Sequence, residues 1–473
     1  MRTPLLPRLL AVVVGALFAV TATAEVPKPP EVKSQDRTLL LSMRNGQTRP
    51  RDPDATKAQR DERTAVFKKV AQNFVYSVAH GPLNGEADAT GKAPFTSLPS
   101  LMSEVEQSTN LIGPSSNGGK LVVDQIEYAE EYGAAIGEAV KVVLAQSPKA
   151  RLIDRVNAVR ILATAARMPS PGVVDPCLAI IQDTQESDGV KLYAFQALRN
   201  LLEQSRVDFP AQHIFKPAES ADRVGKIHDV LAGYVFQRRA PRDDKERAVI
   251  EFVRRDAVAA LARVKDAVLR KPNKDLITRP AWSLLRVIEL DPSVYPAFTI
   301  PEIAEAATGL GLMKPDPDMN LDVAAYSMDK ALIYVATAAL EDGGRSKANA
   351  APTALPWKTY SARLAYALGA WRVATKSPLV TDLAAKAIPV FEPIEKQGAQ
   401  DAQGVQVGVL TTWAENNPPK AWTDGTAQPG TPIPVYKDDP GPKLPFPAAP
   451  AAAPMLKTPE AGKKGPEAPP VKK

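Results

Sequence analysis

The sequence predicts an all-α fold of stacked antiparallel helical hairpins, an α-solenoid, with a disordered N-terminal leader and a disordered C-terminal tail. Three observations predict it. The first is a recurring helical phrase. Asn157-Ala-Val-Arg-Ile-Leu-Ala-Thr-Ala-Ala166 aligns with Asp188-Gly-Val-Lys-Leu-Tyr-Ala-Phe-Gln-Ala197 and with Glu251-Phe-Val-Arg-Arg-Asp-Ala-Val-Ala-Ala260. The copies start 31 and then 63 residues apart, one step and about two, which is the period of helical hairpins. The second is punctuation: Pro169, Pro171, Pro210, Pro241 and Pro272 fall between the periodic segments as breakers. The third is composition. Aromatics make up only 6% and Ala fills many apolar positions, which suits helix layers, and no long stretch alternates with the two-residue period of a strand.

Each element follows from its residues. Arg2 and Arg8 precede an uncharged apolar run, Leu9 to Val20, and Ala22 and Ala24 are small residues at the positions a signal peptidase reads. Residues 1–24 therefore read as a signal peptide, with a mature chain starting at Glu25 and destined for the periplasm or the exterior. The run is too short to span a bilayer, and no later stretch reaches the roughly 18 uncharged apolar residues of a membrane span. Residues 25–58, rich in Pro and charge, read as an extended leader. An N-terminal helical region covers 59–147. It starts with a helix over 60–79 whose Val66, Phe67, Val70, Phe74 and Val78 share a face. A short helix is expected near 101–107 and a long one over 120–146. In the latter, Ala129, Gly133 and Gly137 at four-residue spacing invite a neighbouring backbone to pack close. The repeats proper occupy 148–272, with helices at 149–167, 173–182, 188–204, 220–238 and 243–268. Divergent repeats follow over 273–420, with helices at 275–290, 301–312, 321–341, 358–375, 379–396 and 401–415. Within them, Asp329-Lys-Ala-Leu-Ile-Tyr-Val-Ala-Thr-Ala338 is a degenerate echo of the phrase. Residues 429–473 turn to Pro, Ala, Lys and Gly, a composition that cannot bury enough apolar surface to offset the entropy of ordering.

Charge and cysteine usage narrow the function classes. The formal charge is +6, of which Arg2 and Arg8 carry +2. From Tyr436 onward, seven Lys face four acidic residues, so the tail carries +3 and the body is close to neutral. That balance gives no support to nucleic-acid binding by the body. Cys177 is the single cysteine; it lies in an apolar helix start with no local positive charge, and reads as a buried small hydrophobe.

The phrase at 157, 188 and 251 resembles the second helix of HEAT-type repeats, which carry an acidic residue, a Val-Arg pair and small residues in that order. The resemblance covers about 150–270. It departs from the pattern at Asn157 and Glu251, which stand for the usual Asp, and at Lys191, which stands for Arg. It implies a scaffold or binding surface and no particular chemistry.

No motif argues for a cofactor or a metal. Gly113 to Lys120 lacks the spacing and the hydroxyl residue of a phosphate loop. Asp316-Pro-Asp-Met-Asn-Leu-Asp322 begins like a calcium loop but has Leu321 where Gly is needed and Ser327 where Glu is needed, so Asn320 reads as a helix cap. Glu127, Glu130, Glu131 and Glu138 read as a solvated helix face. His80, His213 and His228 lack metal spacing. Arg160, Lys191 and Arg254 share a repeat position and read as ties within the stack. Arg238 to Lys271 holds 11 basic against 6 acidic residues, and Arg238, Arg239 and Arg242 cluster at an interhelix turn. Together with Arg254 they are the candidate partner-binding residues, suited to an acidic protein or an anionic envelope component. The functional expectation is an exported, non-catalytic scaffold. The rival is a secreted α/α-toroid enzyme acting on a polysaccharide, suggested by five Trp lying between 282 and 422.

Overall fold

The computed structural model describes residues 25–80, 98–111, 121–146, 149–206, 215, 217–347, 355–398, 406–426, 428, 433–436 and 443–444. The fold is mainly α. Sixteen α-helices account for the described secondary structure, together with one 3-10 turn and strands of two or three residues. The chain divides into two compact units: Met1–Val235 with Ala248–Val264 and Arg270–Thr278, and Phe236–Arg247 with Lys265–Leu269 and Arg279–Lys473.

Unit 1 holds α1 (Ser34–Arg44), α2 (Lys57–His80), α3 (Leu98–Thr109), α4 (Val123–Leu144), α5 (Leu152–Ala165), α6 (Val174–Gln182), α7 (Asp188–Arg206), α8 (Pro217–Val235) and most of α9 (Asp244–Leu261). Helix starts are fixed locally. The Asp36 carboxylate accepts the Lys33 N–H at 2.8 Å, and the Gln125 side chain accepts the Val122 N–H at 3.1 Å. Helix α4 packs on α2 and α5, α5 packs on α2 and α7, and α6 packs on α7 and α8. Phe67, Tyr128 and Tyr132 form an aromatic centre with ring centroids 5.4–6.1 Å apart. Tyr128 donates to the Ser108 carbonyl oxygen at 2.9 Å, so its buried hydroxyl is satisfied.

The small residues on α4 do what their spacing predicts. A Cβ on Gly133 would lie 2.0 Å from Ser170 Oγ, and one on Gly137 would lie 2.8 Å from the Gly172 carbonyl oxygen. The 3-10 turn Pro171–Val173 packs directly on this face. The repeat phrase also lands on helices with its seam inward. Val159, Ala163 and Ala166 are at most 7% exposed, Val190, Ala194 and Ala197 are fully buried, and Val253, Ala257 and Ala260 are at most 2% exposed.

Two expectations for unit 1 need correction. Residues 25–58 are not a disordered leader: α1 forms there, and Val26, Leu40, Met43 and Ala55 are buried. Leu40 and Met43, three residues apart, supply the buried side of α1, and the flanking charges find distant partners. The acidic face of α4 is therefore covered. Arg49 Nη2 holds Glu127 Oε1 at 2.7 Å, and Arg51 holds Glu130 at 2.5 Å and Glu131 at 2.7 Å. Burial alone would raise the Glu127 carboxyl, but hydrogen bonds from Arg49 and the Arg51 N–H outweigh it and hold it below its usual range. Glu138 remains exposed and pairs with Lys141 at 2.6 Å.

Unit 2 holds α10 (Pro280–Ile288), α11 (Ile300–Leu312), α12 (Leu321–Lys347), α13 (Trp357–Thr375), α14 (Pro378–Gln397), α15 (Gly408–Asn416) and the short α16 (Lys420–Thr423). The helix expected over 275–290 begins only at Pro280, whose fixed φ suits a first helical position, and residues 276–278 are extended. Thr299 caps α11 reciprocally with Glu302, whose Oε2 accepts the Thr299 N–H at 2.6 Å. Helix α12 is the hub of the unit, packing on α10, α11, α14 and α15. By length and composition, residues 321–344 of α12 are long and apolar enough to cross a membrane, but 78% of that window is buried inside the protein.

The described part of the tail also departs from expectation. Ile433–Pro434 pairs antiparallel with Lys443–Leu444, and Ile433, Val435 and Tyr436 are at most 4% exposed. The Asn320 N–H donates to the Val435 carbonyl oxygen at 2.7 Å and its side-chain amide donates to that of Pro434 at 2.6 Å. Asn320 thus uses its amide to hold the returning chain. Ile433-Pro-Val-Tyr436 carries three apolar side chains, enough for a docking strand, where composition averaged over the tail hid them.

Candidate functional site

Of the four arginines singled out above, three lie in unit 2 and one in unit 1. Arg238 and Arg242 are exposed in the segment before α9, and Arg239 is half-buried, its N–H donating to the Tyr295 carbonyl oxygen at 2.8 Å. Arg242 Nε pairs with Glu246 at 3.0 Å. These three belong to unit 2. Arg254 belongs to unit 1 and is 2% exposed, so it lies within that unit's core. At the shared repeat position, Lys191 is also buried, whereas Arg160 is exposed. Ala22 and Ala24, Gly113 to Lys120 and His213 lie outside the described residues.

Several other motifs settle into structural roles. Cys177 is fully buried, and burial pushes its thiol up, far from the reactive thiolate range. His228 is buried beside Thr278, 3.1 Å away. Asp316 Oδ1 accepts the Asp318 N–H at 3.0 Å, an ordinary turn contact, and no metal-holding group of His, Cys, Asp or Glu occurs among the described residues. Trp357, Trp371 and Trp413 are at most 4% exposed. Trp282 and Trp422 are half-buried.

What the structure does assemble is a cluster of ionisable groups around α12. Glu289, at the C-terminal end of α10, forms a buried ion pair with Lys330. Tyr326, Lys330 and Tyr334 follow one another at four-residue spacing, which puts them on one stripe of α12. Asp329 is fully buried, and neither of its carboxyl oxygens has a hydrogen-bond partner among the described residues. Burial pushes its carboxyl up to about 8, so it holds a proton at neutral pH. The Tyr326 phenol is raised by burial and then by the negative charges of Glu289 and Asp329. Burial and Glu289 act likewise on Tyr334, pushed up to about 12. Tyr326 meets Trp422 edge to face, with centroids 5.4 Å apart. Sequence reasoning treated Asp329 only as the polar start of a repeat echo. The usable signal was an acid inside an apolar helix, with Tyr three residues before it and five after it.

A second feature is an open groove of about 980 Å³ between α14 and α15, lined by Asp382, Lys386, Thr412, Trp413, Asn416 and Asn417 among others. Trp413 Nε1 donates to Asp382 Oδ2 at 2.9 Å and fixes that carboxylate in the wall.

No protein-family model, curated protein or solved structure matches this chain.

Proposed function

We propose that the protein is an exported, non-catalytic scaffold that binds a protein or an anionic envelope component through a surface of stacked helical hairpins. The observation that carries this reading is the burial of the same three phrase positions on α5, α7 and α9. A repeat that buries equivalent positions uses them to stack and leaves the intervening residues for a surface. The contacts within unit 1 support two rows. First helices α4, α6 and α8 touch in sequence, and second helices α5 and α7 touch as well. Arg199 of α7 bridges to Asp256 of α9 at 3.1 Å, and the Asn200 amide donates to the Ala163 carbonyl oxygen of α5 at 2.9 Å.

Export is supported by the apolar run Leu9 to Val20 followed by Ala22 and Ala24, and by the burial of Val26, two residues beyond. N-terminal sequencing of protein recovered outside the cytoplasm is expected to start at Glu25. A chain retaining Met1 there would refute processing.

Arg238 and Arg242, exposed in unit 2, are two cations that such an anionic partner would meet. The test is retention on immobilised envelope material at low and high salt, comparing wild type with the Arg238→Glu, Arg242→Glu double variant. Salt-sensitive retention that the double variant loses by about tenfold is expected, since charge reversal acts on an exposed, screened attraction. Equal retention of both proteins would remove this surface from the proposal.

A further inference from the structure

The groove between α14 and α15 lies wholly within unit 2 and is organised by one residue, Trp413. Its indole Nε1 donates to Asp382 Oδ2 at 2.9 Å, and its carbonyl oxygen accepts the Asn417 side-chain amide at 2.9 Å. Trp413 is 3% exposed, so both contacts rest on a residue held in the core. Asp382 Oδ1 and Asn417 Oδ1 remain as acceptors on side chains already held in place, which lowers the ordering cost of binding. Lys386, Gln406, Thr412 and Asn416 line the same groove and are exposed. Among the described residues, none of these four side chains has a hydrogen-bond or ion-pair partner. Lys386 stands one turn from Asp382 on α14 and does not pair with it.

Three properties select the ligand. The described lining carries one carboxylate and one ammonium, so it has no net charge to attract an ion. Its other polar side chains are amides and a hydroxyl, which both donate and accept. Its apolar side chains are half-buried Val407 and Val409 and buried Trp413, without the exposed aromatic ring or sheet edge that anchors peptides. We propose that this groove binds a neutral glycan, with Asp382 Oδ1 and Asn417 Oδ1 accepting from sugar hydroxyls and Lys386 and Asn416 donating to sugar oxygens. Its volume of about 980 Å³ is at the upper end of small-ligand sites and the groove is open, so it takes several units of a sugar chain. Glycoside hydrolysis uses a pair of carboxylates, and the described lining has one, so the groove holds the chain without cleaving it. The groove acts through neutral hydrogen bonds and the Arg238 and Arg242 surface through charge, so either can fail without the other.

The test is calorimetric titration of the full chain with cellotetraose, maltotetraose and the tetramer of N-acetylglucosamine, at about 50 and about 500 mM salt. Tetragalacturonate and a capped tetraglycine peptide are the acidic and peptide comparisons. At least one neutral tetrasaccharide is expected to bind with a Kd below about 1 mM. That Kd is expected to change less than about twofold with salt, because an uncharged ligand is not screened. Asp382→Asn and Asn416→Ala are each expected to weaken binding by about five- to tenfold, since each removes or weakens a hydrogen bond to the sugar. Lys245→Gln, exposed on α9, is expected to leave it unchanged. Absence of binding by all three neutral sugars, wild-type affinity in both groove variants, or binding by tetragalacturonate alone or the peptide alone would overturn the proposal. If Asp382→Asn does not fold, Asn416→Ala, at an exposed helix end, decides it.

Discussion

Gly172 and Gly233 show how one substitution changes sign with its surroundings. A Cβ on Gly172 would lie 2.6 Å from the Ala134 Cα, where backbone cannot yield cheaply. Gly172→Ala is expected to destabilise by about 1–3 kcal/mol through overpacking. Gly233 lies in α8 with nothing within 4 Å of a built Cβ, so Gly233→Ala is expected to stabilise by about 0.5–1 kcal/mol from helix propensity. Urea unfolding of both variants checks the pair, and equal signs would mean that the close approach of the turn to α4 is wrong. Asp329 gives a residue-scale prediction in pH. Its folded carboxyl is raised by burial from the ordinary 3.8 to about 8, so the folded state binds the extra proton. Its contribution is thus fully present below about pH 4 and is lost as pH rises to about 8. Asp329→Asn, a neutral near-isostere, is expected to match wild type near pH 4 and to gain about 1.4 kcal/mol per pH unit over it up to about pH 8. Thermal midpoints across that range, read as the difference between the two proteins, provide the check. Parallel curves would place Asp329 in contact with water.

At the scale of elements, the periodic helices were legible because each carries its apolar stripe in its own residues. Val190, Ala194 and Ala197 illustrate this: their spacing alone placed them inward, and all are fully buried. Ala194→Glu is expected to cost about 3 kcal/mol or more, since it both overpacks the seam and buries a charge. A loss in urea unfolding of less than about 1 kcal/mol would place Ala194 at a yielding surface. The segments that were not legible depend on partners far away in sequence. Arg49 meets Glu127 across 78 positions, and Asn320 meets Pro434 across 114. No local window contains both members of such a pair, so residues 25–58 read as unstructured and Glu127 as solvated. The Ile433–Tyr436 strand is the sharper case. The Arg279 guanidinium lies 4.8 Å from the Tyr436 ring centroid, and Val435 is 1% exposed. Tyr436→Ala is therefore expected to lower the thermal midpoint by several degrees, as a core truncation of about 2–3 kcal/mol would.

For the whole molecule, charge divides where composition does. Removal of Arg2 and Arg8 leaves +4, and residues 445–473 hold five Lys against Glu460 and Glu467, a net +3. Nearly all of that +4 therefore sits beyond Leu444, past the last described strand. The body presents both signs in near balance, with ion pairs such as Arg51 with Glu130 and Glu131 and Arg363 with Glu305 neutralising its surface locally. A long-range pull toward an anionic surface is then expected from the end of the chain, in addition to any local attraction at Arg238 and Arg242. Cutting after Leu444, rather than at Tyr436, keeps the docked strand and isolates that effect. The truncated protein is expected to keep its thermal midpoint, because none of the buried contacts described is removed. It is also expected to lose most of its low-salt co-sedimentation with anionic envelope material, while full-length and truncated proteins converge at high salt as the Debye length shrinks to about 3 Å. Retention that survives both truncation and salt would move the attachment to the body and to contacts that screening does not reach.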